Sequence, residues 1–136
     1  MLRLSQTAYA SMIGHAYDGL PDEACGLLGG DGDRIDVFVP CRNEDASSRT
    51  FTIGKDGWDA ADAVLGPRGL EVGGVMHSHT HSDAYPSPTD VEKAANPLLD
   101  HWHWIIVSLR DDAPVLRSYR IVDGDIREEQ VGVIRS

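Results

Sequence analysis

The run of residues 102–109 places the strongest constraint on the fold, because it is apolar throughout except for His103 and Ser108. An apolar run of this length is typical of a strand buried at the centre of a sheet. On either side of it, predicted strands have helices inserted between them. This order indicates an α/β or α+β fold, in which a mixed β-sheet is flanked by helices.

Hydrophobic periodicity and turn residues predict the remaining elements. Ser5 is a candidate N-cap for a helix over residues 5–17, and Asp123-Gly124 is the strongest hairpin signal in the chain. Ser87 or Thr89 can cap a short helix that runs to residue 95. The other predicted elements are a helix over residues 55–65 and strands over residues 24–28, 34–39, 49–53, 70–77, 115–122 and 126–133.

The length and charge of the chain limit its organisation and its partners. A chain of 136 residues is expected to form one domain, covering residues 1–136. Its 22 acidic and 12 basic residues give a formal net charge of −10, which repels phosphate groups. We therefore expect neither a nucleic acid nor an anionic membrane as a partner.

Targeting signals and cysteines predict a cytoplasmic protein. No apolar stretch approaches the length of about 18 residues that a transmembrane helix needs, and residues 1–14 lack the apolar core of a signal peptide. Cys25 and Cys41 are too few for a disulfide framework and lie in apolar, strand-like surroundings. We expect them to be buried free thiols in a reducing compartment.

Five of the six histidines lie between residues 77 and 103. His77 and His79 are two residues apart at the end of a predicted strand, so their imidazoles point to the same face. Asp90 follows at the start of a predicted helix and could return a carboxylate to the same point. Two histidines and one carboxylate are a typical donor set for catalytic zinc, which keeps a fourth position for water.

The spacing of the histidines by itself leaves other interpretations open. His79/His81 and His101/His103 are also two residues apart, and histidines in an exposed loop need not bind a metal. The second of these pairs has no carboxylate at a matching distance and alternates with tryptophans along a predicted strand. We interpret His101 and His103 as structural residues.

A zinc hydrolase also needs a base, because the attacking water must lose a proton. Glu23 is the candidate among the six glutamates, since it directly precedes the apolar strand predicted over residues 24–28. A carboxylate at that position must tolerate a low dielectric. The alternative interpretation is that Glu23 belongs to a solvated linker between a helix and a strand.

Taken together, these residues resemble the JAMM (MPN-plus) family of zinc metallopeptidases. Residues 21–29 are similar to the family's glutamate signature. Residues 77–90 match its pattern of H-x-H, ten residues and then aspartate, with Ser87 three positions before Asp90. The resemblance covers almost the whole chain and implies the MPN/JAMM fold, which is cytidine-deaminase-like.

The resemblance also implies a role for each residue of the motif. His77, His79 and Asp90 would bind one Zn²⁺, Glu23 would be the general acid/base, and Ser87 would hydrogen-bond the tetrahedral oxyanion. The chain departs from the family pattern at one position, where proline commonly follows the second histidine.

Thr80 stands at that position and is followed by a third histidine, His81. The pair His79/His81 is therefore an alternative ligand pair. The spacing of ten residues to Asp90 favours His77/His79 and leaves His81 outside the site.

A closer resemblance connects residues 23–26, 84–87, 89–91 and 116–124 to Mec-type peptidases of actinobacteria, a branch of the same family. It implies a partner, a small ubiquitin-like sulfur-carrier protein with a Gly-Gly tail. The implied reaction hydrolyses the amide bond after that tail and releases cysteine, as a step of cysteine biosynthesis. The alternatives are a general JAMM isopeptidase that removes ubiquitin-like modifiers from lysines and a non-catalytic MPN scaffold. Such scaffolds usually lack motif residues that this chain retains.

Overall fold

A computed structural model describes residues 1–135, which form a sheet of eight strands with three α-helices. Two short 3₁₀ helices, Gly66–Arg68 and Pro97–Leu99, connect larger elements. The helices are α1 (Gln6–Asp18), α2 (Lys55–Leu65) and α3 (Pro88–Lys93). The strands are β1 (Leu2–Ser5), β2 (Cys25–Asp31), β3 (Arg34–Cys41), β4 (Glu71–His79), β5 (His103–Ser108), β6 (Val115–Val122), β7 (Asp125–Glu129) and β8 (Val131–Ile134).

The sheet is mixed, as predicted, and its strands are ordered β7-β6-β5-β4-β2-β3-β1-β8. β4 pairs in parallel with β5, and β1 pairs in parallel with β3 and β8, whereas the other neighbours are antiparallel. β7 and β8 lie at opposite ends of this order, yet only Gln130 separates them along the chain. The sheet must therefore curl until its two edges approach each other at Gln130.

β5 is an interior strand, paired with β4 and β6, and both of its faces are covered. Trp104 and Ile106 pack into a core with Ala61 and Leu65 of α2. Ile105 and Val107, which point to the other face, pack into a second core with residues of α1. This arrangement explains why the run of residues 102–109 lacks the polar alternation of a half-exposed strand.

Local signals predicted the caps and the hairpin correctly. The side chain of Ser5 accepts a hydrogen bond from the amide of Ala8 at 3.1 Å, which makes it the N-cap of α1. Ser87, one of the two candidates, caps α3. Asp123 and Gly124 have φ values of 52° and 78°, the positive pair that a type I′ hairpin turn between β6 and β7 requires.

The prediction of a strand over residues 49–53 is wrong. That segment forms only an isolated bridge between Asn43 and Ile53. The side chain of Asn43 bonds to the segment's backbone instead, because its amide donates to the carbonyl of Thr50 at 2.9 Å and its oxygen accepts from the amide of Thr52 at 3.2 Å. Side chains of this type compete with a ladder for backbone groups.

The terminal strands also differ from the prediction. Residues 2–5 form β1, which no local pattern indicated, and its partners β3 and β8 are distant in sequence. The strand predicted over residues 126–133 is two strands, because β7 pairs with β6 on one edge and β8 pairs with β1 on the other. Both differences arise from non-local pairing.

Two further predictions concern membranes and thiols. No helix within residues 1–135 is long and apolar enough to cross a membrane. Cys25 and Cys41 are buried free thiols, as predicted. Burial raises the pKa of Cys25 to about 12, so this thiol remains protonated at neutral pH.

His103 connects three parts of the curled sheet, which confirms that it is a structural residue. Its Nδ1 lies 2.7 Å from Oε2 of Glu129 in β7, and its Nε2 lies 2.8 Å from the carbonyl of Gly32 in the β2–β3 turn. Each ring nitrogen thus has a hydrogen-bond partner in a different part of the sheet. His101, in contrast, is exposed.

Replacing His103 with alanine should destabilise the fold, because the carboxylate of Glu129 and the carbonyl of Gly32 then lose a hydrogen-bond partner. Leaving a buried polar group without its partner typically costs about 1–3 kcal/mol. Urea unfolding at pH 7 measures this loss. The control is His101→Ala, which changes an exposed ring and should alter the free energy of unfolding by no more than about 0.5 kcal/mol.

The same pair predicts how the loss depends on pH. Burial raises the pKa of Glu129, but the hydrogen bonds from His103 and Ser118 outweigh burial and hold this pKa below its ordinary value of 4.5. A carboxyl group of this kind contributes stability above its unfolded-state pKa and loses it as the pH falls through its folded-state pKa. The difference in unfolding free energy between wild type and His103→Ala should therefore shrink below pH 4.5. A constant difference down to pH 3 would contradict the stabilisation of the Glu129 carboxylate by His103.

Candidate functional site

β4 carries the first two residues of the site at its C-terminal end. His77 and His79 are two positions apart on this strand, so both rings lie on the same face. They are buried, with exposed fractions of 1% and 5%. Phe51 stacks on the ring of His77 with centroids 4.6 Å apart, and this contact fixes the orientation of the imidazole.

α3 supplies the third residue through the local chemistry of its N-terminus. The amide of Asp90 donates to Oγ of Ser87 at 3.2 Å, and the amide of Ser87 donates to Oδ2 of Asp90 at 2.8 Å. This reciprocal pair is a capping box. It orients the carboxylate of Asp90, which is buried, toward the two histidines.

Three potential ligand atoms meet between β4 and α3. Nε2 of His77, Nε2 of His79 and Oδ2 of Asp90 lie 3.1 to 3.3 Å from one another. Atoms bound at 2.0–2.1 Å to one tetrahedral metal ion would be roughly 3.3 Å apart. Within residues 1–135, this is the one group of three His, Cys, Asp or Glu ligand atoms close enough to hold a metal ion.

The hydrogen bonds and pKa shifts of the three residues show how each would meet a metal ion. Nδ1 of His79 lies 2.7 Å from the carbonyl of Asp83, and in the tautomer that donates there Nε2 presents a lone pair. Burial lowers the pKa of His79, but its hydrogen bonds with Asp90 and Asp83 outweigh burial and raise it, so a bound cation would have to displace a proton. Burial lowers the pKa of His77 and so favours its neutral, ligating form. Burial raises the pKa of Asp90, but its hydrogen bonds with His77 and His79 outweigh burial and hold this pKa well below its usual range. The carboxylate is therefore ionised.

Glu23 lies beside this group, just before β2. Its exposed fraction is 5%, and its backbone is held by two bonds, from its amide to the carbonyl of Ser47 at 2.8 Å and from the amide of Asn43 to its carbonyl at 3.0 Å. Burial raises the pKa of its carboxyl group to about 7. Glu23 is therefore a buried group of the site and does not belong to a solvated linker.

Ser78, which the sequence did not single out, places Glu23 against β4. Its hydroxyl accepts a hydrogen bond from the amide of Ala24 at 2.8 Å, and its amide donates to the carbonyl of Ala24 at 2.9 Å. Ser78 lies between the two histidines on β4, so its side chain points to the opposite face. The only sequence feature that could have indicated this role is its position between the two histidines of the H-x-H motif.

A cleft of about 320 Å³ opens beside the three ligand residues. Glu23 and Ser87 both line it, so all five residues that the sequence nominated for the site are brought together. His81 lines the cleft as well, but it is exposed and lies outside the group of three ligands. The lining residues are Glu23, Ser48, Arg49, His79, Thr80, His81, Ser82 and Ser87.

Comparison with known proteins finds a matching family and similar curated proteins. Residues 5–122 match the Prok-JAB family, the prokaryotic homologues of the JAB domain. The chain is 38% identical over 132 residues to the CysO-cysteine peptidase of Mycobacterium tuberculosis, covering 91% of this chain and 85% of that protein. It is 33% identical over 103 residues to the desampylase of Haloferax volcanii, covering 71% and 74%.

Solved structures share the fold. The solution structure of a Desulfitobacterium hafniense protein has a TM-score of 0.87 and 31% identity, and the match covers 100% of this chain and 94% of that one. A JAB1/MPN domain protein from Archaeoglobus fulgidus has a TM-score of 0.61 and 20% identity, with 98% and 97% covered. These matches confirm the predicted MPN/JAMM fold. The chain thus belongs to the Prok-JAB family and is a JAB-domain peptidase.

Proposed function

We propose that this peptidase is zinc-dependent and cuts after the C-terminal Gly-Gly of a small ubiquitin-like sulfur-carrier protein, releasing cysteine. The reaction would be a step of cysteine biosynthesis in the cytoplasm. The observation that carries the proposal is the convergence of His77, His79 and Asp90 at the edge of a cleft that His79 and the buried Glu23 line. The identity of 38% to a CysO-cysteine peptidase supports the choice of substrate.

We assign one Zn²⁺ per chain to His77, His79 and Asp90. Two nitrogen donors and one oxygen donor are typical of catalytic zinc, and the distances between their ligand atoms suit a tetrahedron. When bound, zinc supplies a Lewis acid that polarises the scissile carbonyl and makes a water molecule more acidic. The group lies at the wall of the cleft, where substrate can approach.

Glu23 would act as the general acid/base. Its carboxylate would accept a proton from the attacking water and then deliver it to the nitrogen of the leaving amine. A group that must perform both transfers near neutral pH works best when its pKa is close to the ambient pH. Burial brings the pKa of Glu23 to about 7, which supports this role.

Ser87 would stabilise the charge that develops on the carbonyl oxygen of the scissile amide. Its Oγ already accepts the amide proton of Asp90, so its own O–H remains available to donate into the cleft. A donor placed toward a developing oxyanion lowers the barrier of acyl transfer.

The second candidate is a general isopeptidase that removes a ubiquitin-like modifier from protein lysines. The identity of 33% to a desampylase favours this alternative. Both candidates have a small ubiquitin-like protein as the partner. A non-catalytic scaffold is disfavoured, because the complete set of five motif residues is assembled in one place.

Asp90→Ala should lose the metal ion, whereas His81→Ala should retain one zinc per chain. Asp90 supplies the ionised ligand, while His81 lies outside the ligand group. Elemental analysis of each variant, purified without added zinc, measures the number of zinc ions per chain. Zinc retained in Asp90→Ala and lost in His81→Ala would show that the ligand assignment is wrong.

Glu23→Gln should keep the zinc but lose about 10²- to 10⁴-fold in kcat, because the amide cannot accept the proton of the attacking water. Cleavage of a Gly-Gly-Cys-tailed carrier, followed by mass spectrometry, measures the loss. Glu92→Gln, on the exposed side of α3, is the matched control and should behave as wild type. Wild-type turnover of Glu23→Gln would remove Glu23 from the mechanism.

The two candidate functions differ in the leaving group. We expect a carrier with a C-terminal Gly-Gly-Cys to be cut faster than lysine-linked diubiquitin. The segment between Asp90 and Pro97 is short, so the chain has little room for added loops that could grip a second folded protein. Parallel reactions followed by mass spectrometry give the two values of kcat/KM. Faster cleavage of diubiquitin would favour the general isopeptidase.

A further inference from the structure

Arg49 is the one lysine or arginine that lines the cleft beside Glu23 and His79. It is exposed, and within residues 1–135 no carboxylate lies within 4.0 Å of its guanidinium group. The chain as a whole carries a formal charge of −10. An unpaired cation that faces a reaction cleft in such an acidic protein is suited to bind an anionic group of the substrate.

The turn that carries Arg49 is held in place by its own side chains. The hydroxyl of Ser47 accepts hydrogen bonds from the amide of Arg49 at 3.0 Å and from the amide of Thr50 at 3.3 Å. The carbonyl of Ser47 accepts the amide proton of Glu23 at 2.8 Å. The backbone of Arg49 is therefore positioned relative to the residue that would move the proton.

A second bond ties the same turn to β4. Thr80 is buried directly after His79, and its hydroxyl donates to the carbonyl of Ser48 at 3.2 Å. Proline, which commonly follows the second histidine of the family motif, has no hydroxyl and could not form this bond. Threonine in place of proline thus has a structural consequence, because its hydroxyl fixes the turn of Arg49 to the end of β4.

We propose that Arg49 forms the subsite for the free α-carboxylate of a single-residue leaving group. This inference rests on the proposed function and identifies the residue that would make the enzyme select cysteine. In a Gly-Gly-Cys tail, the α-carboxylate lies only two bonds beyond the scissile nitrogen, so its carbon is within about 4 Å of the scissile carbon. It must then lie in the same cleft, where a guanidinium group can bind both of its oxygens.

A lysine-linked substrate lacks this anion. The nitrogen of an isopeptide bond continues into an aliphatic side chain, and the nearest main-chain carbonyl of the lysine belongs to an uncharged peptide bond. Arg49 would form no ion pair with such a leaving group. A bulky leaving group would also displace water from its guanidinium without replacing the lost hydrogen bonds. The subsite therefore favours removal of one amino acid over removal of a modifier from a protein.

The test compares two carriers that differ in one group, a C-terminal Gly-Gly-Cys with a free carboxylate and the same tail with a carboxamide. For wild type, kcat/KM should be about 10- to 100-fold higher for the acid than for the carboxamide. This ratio is what a hydrogen-bonded pair of charged groups typically contributes. Arg49→Ala should lose this preference through a higher KM for the acid, with little change for the amide. Arg49→Lys should retain part of it, since an ammonium group is a single point charge.

The control is Arg42→Ala, which removes an exposed arginine outside the cleft and should keep the full preference for the acid. Zinc content should be unchanged in all variants. Equal cleavage of acid and amide by wild type, or equal losses on both in Arg49→Ala, would overturn the subsite and leave the proposed function intact. If His81→Ala abolishes the preference instead, Arg49 is the wrong residue. Failure of wild type to cut either carrier would reject the proposed function itself.

Discussion

The amide of Ala24 donates to the hydroxyl of Ser78, and the amide of Ser78 donates to the carbonyl of Ala24, at 2.8 and 2.9 Å. These bonds join the residue that follows Glu23 to the residue between His77 and His79. The rest of the site depends on them, because they hold a carboxyl group that lies just before β2 beside two imidazoles of the neighbouring strand β4. Ser78 itself faces away from the cleft, so its contribution is positional.

Burial produces both of the electrostatic conditions that the proposed chemistry needs. At the ligand group, three acceptor atoms of the folded chain lie within 3.3 Å of one another, an arrangement that a bound cation stabilises. Beside it, the same exclusion of water raises the pKa of Glu23 to about 7. Hydrogen bonds with His77 and His79 outweigh burial at Asp90 and hold its pKa below the usual range, so this carboxyl group stays ionised while that of Glu23 can exchange a proton.

The segment between β3 and α2 builds one side of the cleft without regular secondary structure. Side chains of Asn43 and Ser47 satisfy its backbone groups, and its carbonyls accept bonds from Glu23 and Thr80. The turn of Arg49 is thereby fixed to the same residues that define the chemistry. Specificity and catalysis would then rest on one framework, in which a shift of the turn would disturb both.

The sequence by itself determined the buried strand over residues 102–109 and the helices, because hydrophobic period and caps are local properties. It nominated the five motif residues through their resemblance to a family, since the spacing of the histidines alone left other pairs open. It did not determine that residues 126–133 divide at Gln130, that residues 49–53 form no strand, or that Ser78 holds Glu23 against β4. Only the tertiary structure decided these, and it also placed Arg49 in the cleft. The physical reason is that a periodic pattern indicates which face of an element is buried, whereas its partner is selected by hydrogen bonds between residues far apart in the chain.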